Sequence, residues 1–232
     1  MDLTENLKIT RISGKKREEI EDIVVKEISL TIFLNGKRVK RLCCSPDKIR
    51  ELVLGFFYSQ GRLKNPKDLK SLRWDRKKGI VKVEIPLSKG PRLLKVRSNL
   101  RIKKESVFGL ALATKKRSKL FRATGGVHSA CLTDRKKIIL FTEDIGRQNA
   151  LDKIIGESLL KNVFLQNKVM LTSGRITGET ITKMARARIP IIVSPGAPTD
   201  LAVNLAKKLG ITIVGFTREE RMNIYFHKGR II

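Results

Sequence analysis

The chain has 232 residues, 41% of them hydrophobic, which suffices for a large buried core and excludes global disorder. Lys and Arg number 50 against 22 Asp and Glu, a formal net charge of +28, and so strong a basic balance points to phosphate-bearing or otherwise anionic partners. Three cysteines, Cys43, Cys44 and Cys131, make no disulfide framework, no apolar run reaches membrane-spanning length, and the polar first ten residues carry no leader pattern; a cytoplasmic protein is expected.

In chain order, residues 1–22 read as a polar, charged arm. Ile28, Leu30, Ile32 and Leu34 alternate with the period of a strand, and Asn35-Gly36 leads into a second extended run over 37–43, a hairpin signature. Ser45-Pro46 predicts a helix start with Ser45 as N-cap; Ile49, Leu52, Val53, Phe56 and Phe57 form its apolar stripe and Gly61 its stop. Another alternating strand is predicted over 80–85, closed by Pro86. Residues 61–120 hold 20 basic and 4 acidic side chains, either a solvated face or an electrostatic funnel for an anion.

Beyond about Phe121 the pattern changes. Apolar runs at 137–142, 168–172, 189–194 and 211–216 are separated by helical patterns at about 149–161, 177–187 and 199–209. This alternation predicts right-handed βαβ crossovers and a largely parallel, buried sheet. The composition shift divides the chain into an N-terminal α+β portion with the basic segment, 1–120, and an α/β core, 121–232.

Ligands of such sheets bind outside the carboxyl ends of the strands. The loops expected there are Ser173-Gly174-Arg175-Ile176-Thr177-Gly178-Glu179, Pro195-Gly196-Ala197-Pro198-Thr199 and Thr217-Arg218-Glu219-Glu220-Arg221. Thr177 and Thr199 suit ordinary helix caps, but three such loops with Arg175, Arg218 and Arg221 favour a nucleotide-like anion site. In Thr124-Gly125-Gly126-Val127-His128 the paired glycines permit close backbone approach and His128 is a candidate site residue, whereas His227 reads as surface. Glu143-Asp144-Ile145-Gly146-Arg147 precedes a helix, where the acids suit its N-terminus, while acid, glycine and arginine packed so closely also suit a polar ligand or partner. P-loop, dinucleotide-fingerprint, nucleophile-elbow and zinc-deaminase signatures are absent. Aromatics at 5% argue against stacking platforms for single-stranded nucleic acid.

Several stretches taken together, Thr124 to His128, Glu143 to Arg147 with Asn149 to Lys153, Ser173-Gly174-Arg175, Ala197 to Thr199 with Leu201 to Val203, and Gly215-Phe216 with Arg218 and Asn223, resemble the formate dehydrogenase accessory sulfurtransferase family (FdhD/NarQ). Glu51 to Phe56 followed by Gly61 adds to the likeness, which runs from about residue 28 to 225. The resemblance implies a cytidine-deaminase-like three-layer α/β/α core without its zinc site, a smaller N-terminal α+β portion, and a homodimer. It implies a protein that takes persulfide sulfur from a cysteine desulfurase. That sulfur passes to the molybdenum (or tungsten) bis-molybdopterin guanine dinucleotide cofactor of formate dehydrogenase. The family's cofactor-binding segment maps onto Phe216, Thr217, Arg218, Glu219, Glu220 and Arg221, with Arg175, Gly125, Gly126 and His128 expected nearby and GDP or GMP as mimics.

One departure stands out. The family usually has a Cys-x-x-Cys loop, and the matching region here, 96–107, contains no cysteine. Sulfur relay needs a thiolate, so no catalytic residue and no metal ligand is assigned. Gln148 also stands where the family commonly has a histidine. Cys131 is expected to be buried and structural; Cys43 and Cys44 precede a helix N-terminus, which would favour a thiolate, but the spacing is that of an ordinary strand-to-helix connection and a redox role is not the expected one. Two alternatives stay open: a cofactor-binding scaffold without sulfur relay and, ranked last, a basic nucleic-acid-binding protein.

Overall fold

The computed structural model describes residues 2–86 and 92–232; residues 87–91 of the basic segment lie outside the described set. The polar arm expected at the N-terminus is instead an antiparallel hairpin of β1 (Thr4–Ser13) and β2 (Lys16–Val25), in unbroken register from Thr4 opposite Val25 to Ser13 opposite Lys16. A ribbon largely exposed on both faces has little hydrophobic alternation to reveal it.

A second sheet takes the order β4-β3-β6-β5, from β3 (Ile28–Leu34), β4 (Lys37–Cys44), β5 (Ser71–Asp75) and β6 (Ile80–Glu84). The alternating residues Leu30, Ile32, Val81 and Val83 face the apolar stripe of α1 (Ile49–Ser59), where Leu52, Val53 and Phe57 complete a core. Gly61 ends that helix at φ +73, as expected. Its start differs: Lys48 is the N-cap, in the left-handed region with φ 50, and no side chain caps it. Ser45 is buried and engaged elsewhere, donating its N–H to Asp144 (3.2 Å) and accepting from the Ile145 N–H (3.3 Å). A tertiary contact has replaced a local cap.

The third sheet has the order β12-β11-β10-β9-β7-β8. It comprises β7 (His128–Thr133), β8 (Ile138–Asp144), β9 (Val169–Thr172), β10 (Ile191–Val193), β11 (Thr212–Arg218) and β12 (Arg221–Ile224). Only β9, β10 and β11 pair in parallel; β7 is antiparallel to both β8 and β9, and β12 is antiparallel to β11. The sheet is mixed rather than largely parallel, because β7, which is not among the apolar runs of the sequence pattern, inserts antiparallel between β8 and β9; those two share a direction and are joined through α4 as a crossover.

Period-two alternation sorts this sheet into two faces. Leu132, Met170, Ile192 and Ile213 meet α4 (Arg147–Leu160), α5 (Gly178–Ala187) and α6 (Asp200–Leu209). Cys131, Leu171, Val193 and Val214 meet α2 (Lys104–Arg117) through Val107 and Leu110. Short α3 (Lys119–Thr124) follows. The mixed α/β class is as expected, with helices on both faces of the larger sheet.

The two cores are joined by α1 lying against α4. A Cβ on Gly55 would stand 1.8 Å from the Asp152 carbonyl oxygen, and one on Gly156 would stand 1.9 Å from that of Glu51. Backbone meets backbone there, and only glycine allows it. Beside the crossing lies a charge cluster around the fully buried Lys153 and Asp144. Lys153 Nζ sits 2.7 Å from Asp144 Oδ2 and 2.7 Å from Asp47 Oδ1. Asp144 Oδ1 also accepts from Gly146 N and Asn149 Nδ2, both at 2.8 Å, and Asn149 Nδ2 reaches the Cys43 carbonyl at 2.7 Å. This clasp holds the β4–α1 connection onto the start of α4.

Candidate functional site

The carboxyl ends of β9, β10 and β11 lie side by side, and the first residues of β7 adjoin them because β7 is antiparallel to β9. Ser173, just after β9, donates its N–H to the Ser129 carbonyl (2.9 Å), accepts the Ser129 N–H on Oγ (3.0 Å), and lies 3.2 Å from His128 Nδ1. Ser194 Oγ donates to the Gly174 carbonyl (2.7 Å) and accepts from Gly196 N (2.9 Å). Ile176 N donates to Ala197 O (3.1 Å), and Phe216 N, with its residue at φ 50, donates to Gly196 O (3.2 Å). The three loops therefore form one laced edge.

The N-terminus of α4 completes that edge. A Cβ on Gly174 would meet Arg147 Cβ at 2.8 Å, so the arginine stem lies directly on the loop after β9. Burial, then the Arg147 and Arg175 guanidiniums, hold His128 below its usual value of 6.5, with Asp144 opposing. Two cations and an imidazole thus converge beside free helix N–H groups, an arrangement suited to phosphate or another anion. Arg147 Nε is buried without a partner, as is Thr217 Oγ1 in a residue only 4% exposed at the end of β11. Orphaned donors of this kind call for an acceptor, so the residues present fit a phosphate-bearing group.

His128, Arg175 and Phe216, singled out from sequence, do come to this edge. Arg218 and Arg221 pair across the β11–β12 turn and are exposed, with Glu219 at φ 43 and Glu220 between them. Gly125 ends α3 at φ +65 with open space around it. Gly126 lacks a side chain because Val25 of β2 fills the space, 2.8 Å from a would-be Cβ, so its close approach is to the protein itself. Thr177 and Thr199 cap α5 and α6, as read from sequence. Gln148 Nε2 turns to Thr177 and Thr180 (3.3 and 3.1 Å).

The run from Glu143 to Arg147, expected either to serve the following helix or to bind a polar ligand, divides its residues. Asp144 points into the clasp, and Glu143 accepts the Leu120 and Phe121 N–H groups (3.1 and 2.9 Å) at the start of α3. Arg147 is left at the edge.

No cysteine is poised as a thiolate. Burial pushes Cys44 and Cys131 up to about 12, and Cys131 Sγ lies 3.1 Å from Thr114 Oγ1 beneath α2. Cys43 is exposed, but its hydrogen bond with Glu27 raises it. The helix N-terminus does not make a thiolate of either residue: Glu27 raises Cys43, and burial, then Asp144, raises Cys44. The cysteine-free segment 96–107 is folded down at the opposite edge, with Val96 N bonded to Leu209 O (2.7 Å) and Ile102 paired with Ile231.

The model of the FdhD/NarQ family matches residues 25–94 and 87–232. The chain belongs to the FdhD/NarQ family. Its similarity to proteins of that family extends over nearly the whole length: 36% identity to the sulfur carrier protein FdhD of Bacillus pumilus, covering 90% of both chains, and 34% identity to that of Bacillus subtilis, covering 97% of this chain and 99% of the other. A crystal structure assigned as a formate dehydrogenase accessory protein from Desulfotalea psychrophila superposes with a TM-score of 0.89 at 27% identity, covering both chains completely. Among the described residues of this FdhD/NarQ member, no helix is long and apolar enough to cross a membrane.

Proposed function

We propose that this chain serves formate dehydrogenase maturation, and that its laced strand edge holds the phosphates of a molybdenum or tungsten bis-molybdopterin guanine dinucleotide cofactor. The observation that carries this reading is the convergence of Arg147, Arg175 and His128 at the α4 N-terminus, with Arg147 Nε buried and unpartnered. When bound, the cofactor supplies a metal centre able to accept a sulfur ligand. Arg147 and Arg175 bind its pyrophosphate, and the laced loops keep the edge in shape without rearrangement. The turn carrying Arg218 and Arg221 reaches a more exposed part of the same ligand. Family kinship supports a cysteine desulfurase as sulfur donor, formate dehydrogenase as recipient and a homodimer as the working form.

A second reading concerns the sulfur. Two buried thiols and a third raised by Glu27 favour a member that binds the cofactor without relaying sulfur through a cysteine of its own. Incubation with a desulfurase and cysteine, followed by a persulfide-specific label, tests this. No label on the chain is expected; labelling abolished by Cys43→Ser would restore the relay.

Calorimetric titration with GDP, with GMP and ADP as comparisons, tests the cofactor site. GDP should bind more tightly than ADP and persist at moderate salt. Arg175→Ala or Arg147→Ala should each weaken it by about 1–3 kcal/mol, the range for a lost charge-assisted contact. Equal affinity for ADP, or no effect of either substitution, would sink the assignment.

A further inference from the structure

A groove of about 660 Å³ lies between α2 and the β7–β8 turn. One wall is the α2 face presenting Gly109, Ala113 and Arg117; the other is Arg135, Lys136 and Lys137. All six are exposed, and Leu110 and Ile138 form apolar parts of the lining. The groove is remote from the candidate cofactor edge. β7 begins there at His128 and ends beside the groove at Thr133, about 16 Å away at ~3.3 Å per residue. It also opens on the α2 side of the sheet, away from α4, α5 and α6.

Three observations give this groove an occupant. None of its four cations makes an ion pair among the described residues, and no acid lines it. Asp134 in the same turn accepts from the Lys136 and Lys137 N–H groups (2.9 and 3.0 Å) and offsets part of the Lys137 charge, so a net excess of positive charge remains on the groove. Gly109 stands in the middle of a 14-residue helix, where glycine costs about 1 kcal/mol relative to alanine, and no atom lies within 4 Å of where its Cβ would be. Nothing among the described residues explains that glycine, whereas an external segment lying close along α2 does. Finally, the lining combines cations with Leu110, Ala113 and Ile138, which matches a chain of carboxylates interspersed with apolar side chains. A nucleic acid strand would meet no aromatic platform among these residues.

We propose that this groove docks an acidic segment of a partner protein, with an apolar side chain seated over Gly109 and carboxylates paired with Arg117, Arg135, Lys136 and Lys137. Its occupant leaves the cofactor edge open, so the two surfaces can be filled together.

Fluorescence anisotropy tests this with a labelled helical peptide of roughly four turns, Leu on one stripe and Glu or Asp elsewhere. Comparison probes are the same peptide with Lys for every acid and a single-stranded oligonucleotide of matching charge. The full chain should bind the acidic peptide at physiological salt. Gly109→Leu, which fills the groove while favouring the helix, should weaken binding at least tenfold, as should Arg135→Glu with Lys136→Glu and Lys137→Glu. Lys77→Glu with Lys78→Glu, in the β5–β6 turn, should leave it within about twofold. No binding of the acidic peptide overturns the proposal, and so does unchanged binding by Gly109→Leu, which would mean charge alone at work. An oligonucleotide that binds as tightly and displaces the peptide also overturns it, in favour of nucleic acid.

Discussion

His128 is the residue whose ionisation should report on the site. Burial and two neighbouring guanidiniums disfavour its protonated form in the folded chain. In the unfolded chain the imidazole takes a proton below about 6.5, so the unfolded state binds more protons there and stability falls as pH drops through that range. An anion beside Arg147 and Arg175 offsets their repulsion and raises the histidine again. GDP binding should therefore take up a proton and tighten between about pH 7 and 5.5, and His128→Gln should flatten that dependence; calorimetry in buffers of different ionisation enthalpy measures the proton directly. Affinity that falls with acid in both proteins would remove His128 from the site. The sequence brought out Arg175 because it follows a predicted strand, His128 because paired glycines precede it, and Phe216 because the family's cofactor-binding segment maps onto it. It left Arg147 undecided among its neighbours, since which of Glu143, Asp144 and Arg147 turns outward depends on α3 and on the β4–α1 connection, both distant in the chain.

At the level of elements, the clasp carries more than its size suggests. Lys153 is completely buried between Asp144 and Asp47. Replacing one partner of such a cluster leaves an uncompensated charge in the interior, a loss of about 3–5 kcal/mol. Lys153→Met should lower stability by that amount in denaturant titration, and Asp144→Asn in the same chain should recover part of it, although the bonds from Asp144 to Ser45, Gly146 and Asn149 weaken too. If Lys153→Met unfolds like the parent, the clasp contributes only position. Strands and helices with a clear period, Ile28–Leu34 and the segments of α4, α5 and α6, were legible in the sequence to within a few residues. The strand between β8 and β9 was not. The runs at 138–144 and 169–172 share a direction and are joined through α4, as the alternation suggests, but His128–Thr133 slips in antiparallel between them, and that pairing depends on the turn after β7 and on distant β9 rather than on its own pattern. Ser45-Pro46 resembled a cap because local chemistry suited one, yet burial against Asp144 outweighed it.

For the whole molecule, a net charge of +28 means self-repulsion that added ions should screen. The clasp, being buried, is screened little, so the surface term should dominate. The thermal midpoint should rise by several degrees between low and moderate sodium chloride. Sulfate or phosphate at the same ionic strength should raise it further through binding at the cofactor edge, and Arg175→Ala should remove that extra increment while leaving the chloride response. A midpoint that falls with salt would show that surface ion pairs outweigh the repulsion.

The clasp also bears on how the chain reaches this state. The bond from Ser45 to Asp144 spans 99 residues and that from Lys153 to Asp47 spans 106. Contacts so far apart in sequence form only after a long loop has closed, which slows folding. During synthesis the sheet of β3 to β6 and its helix would leave the ribosome well before α4 exists, with the Gly55 face of α1 bare and Asp47 unpaired. That interval is when the nascent protein would be most open to chaperones or misassociation, and it ends only when α4 arrives.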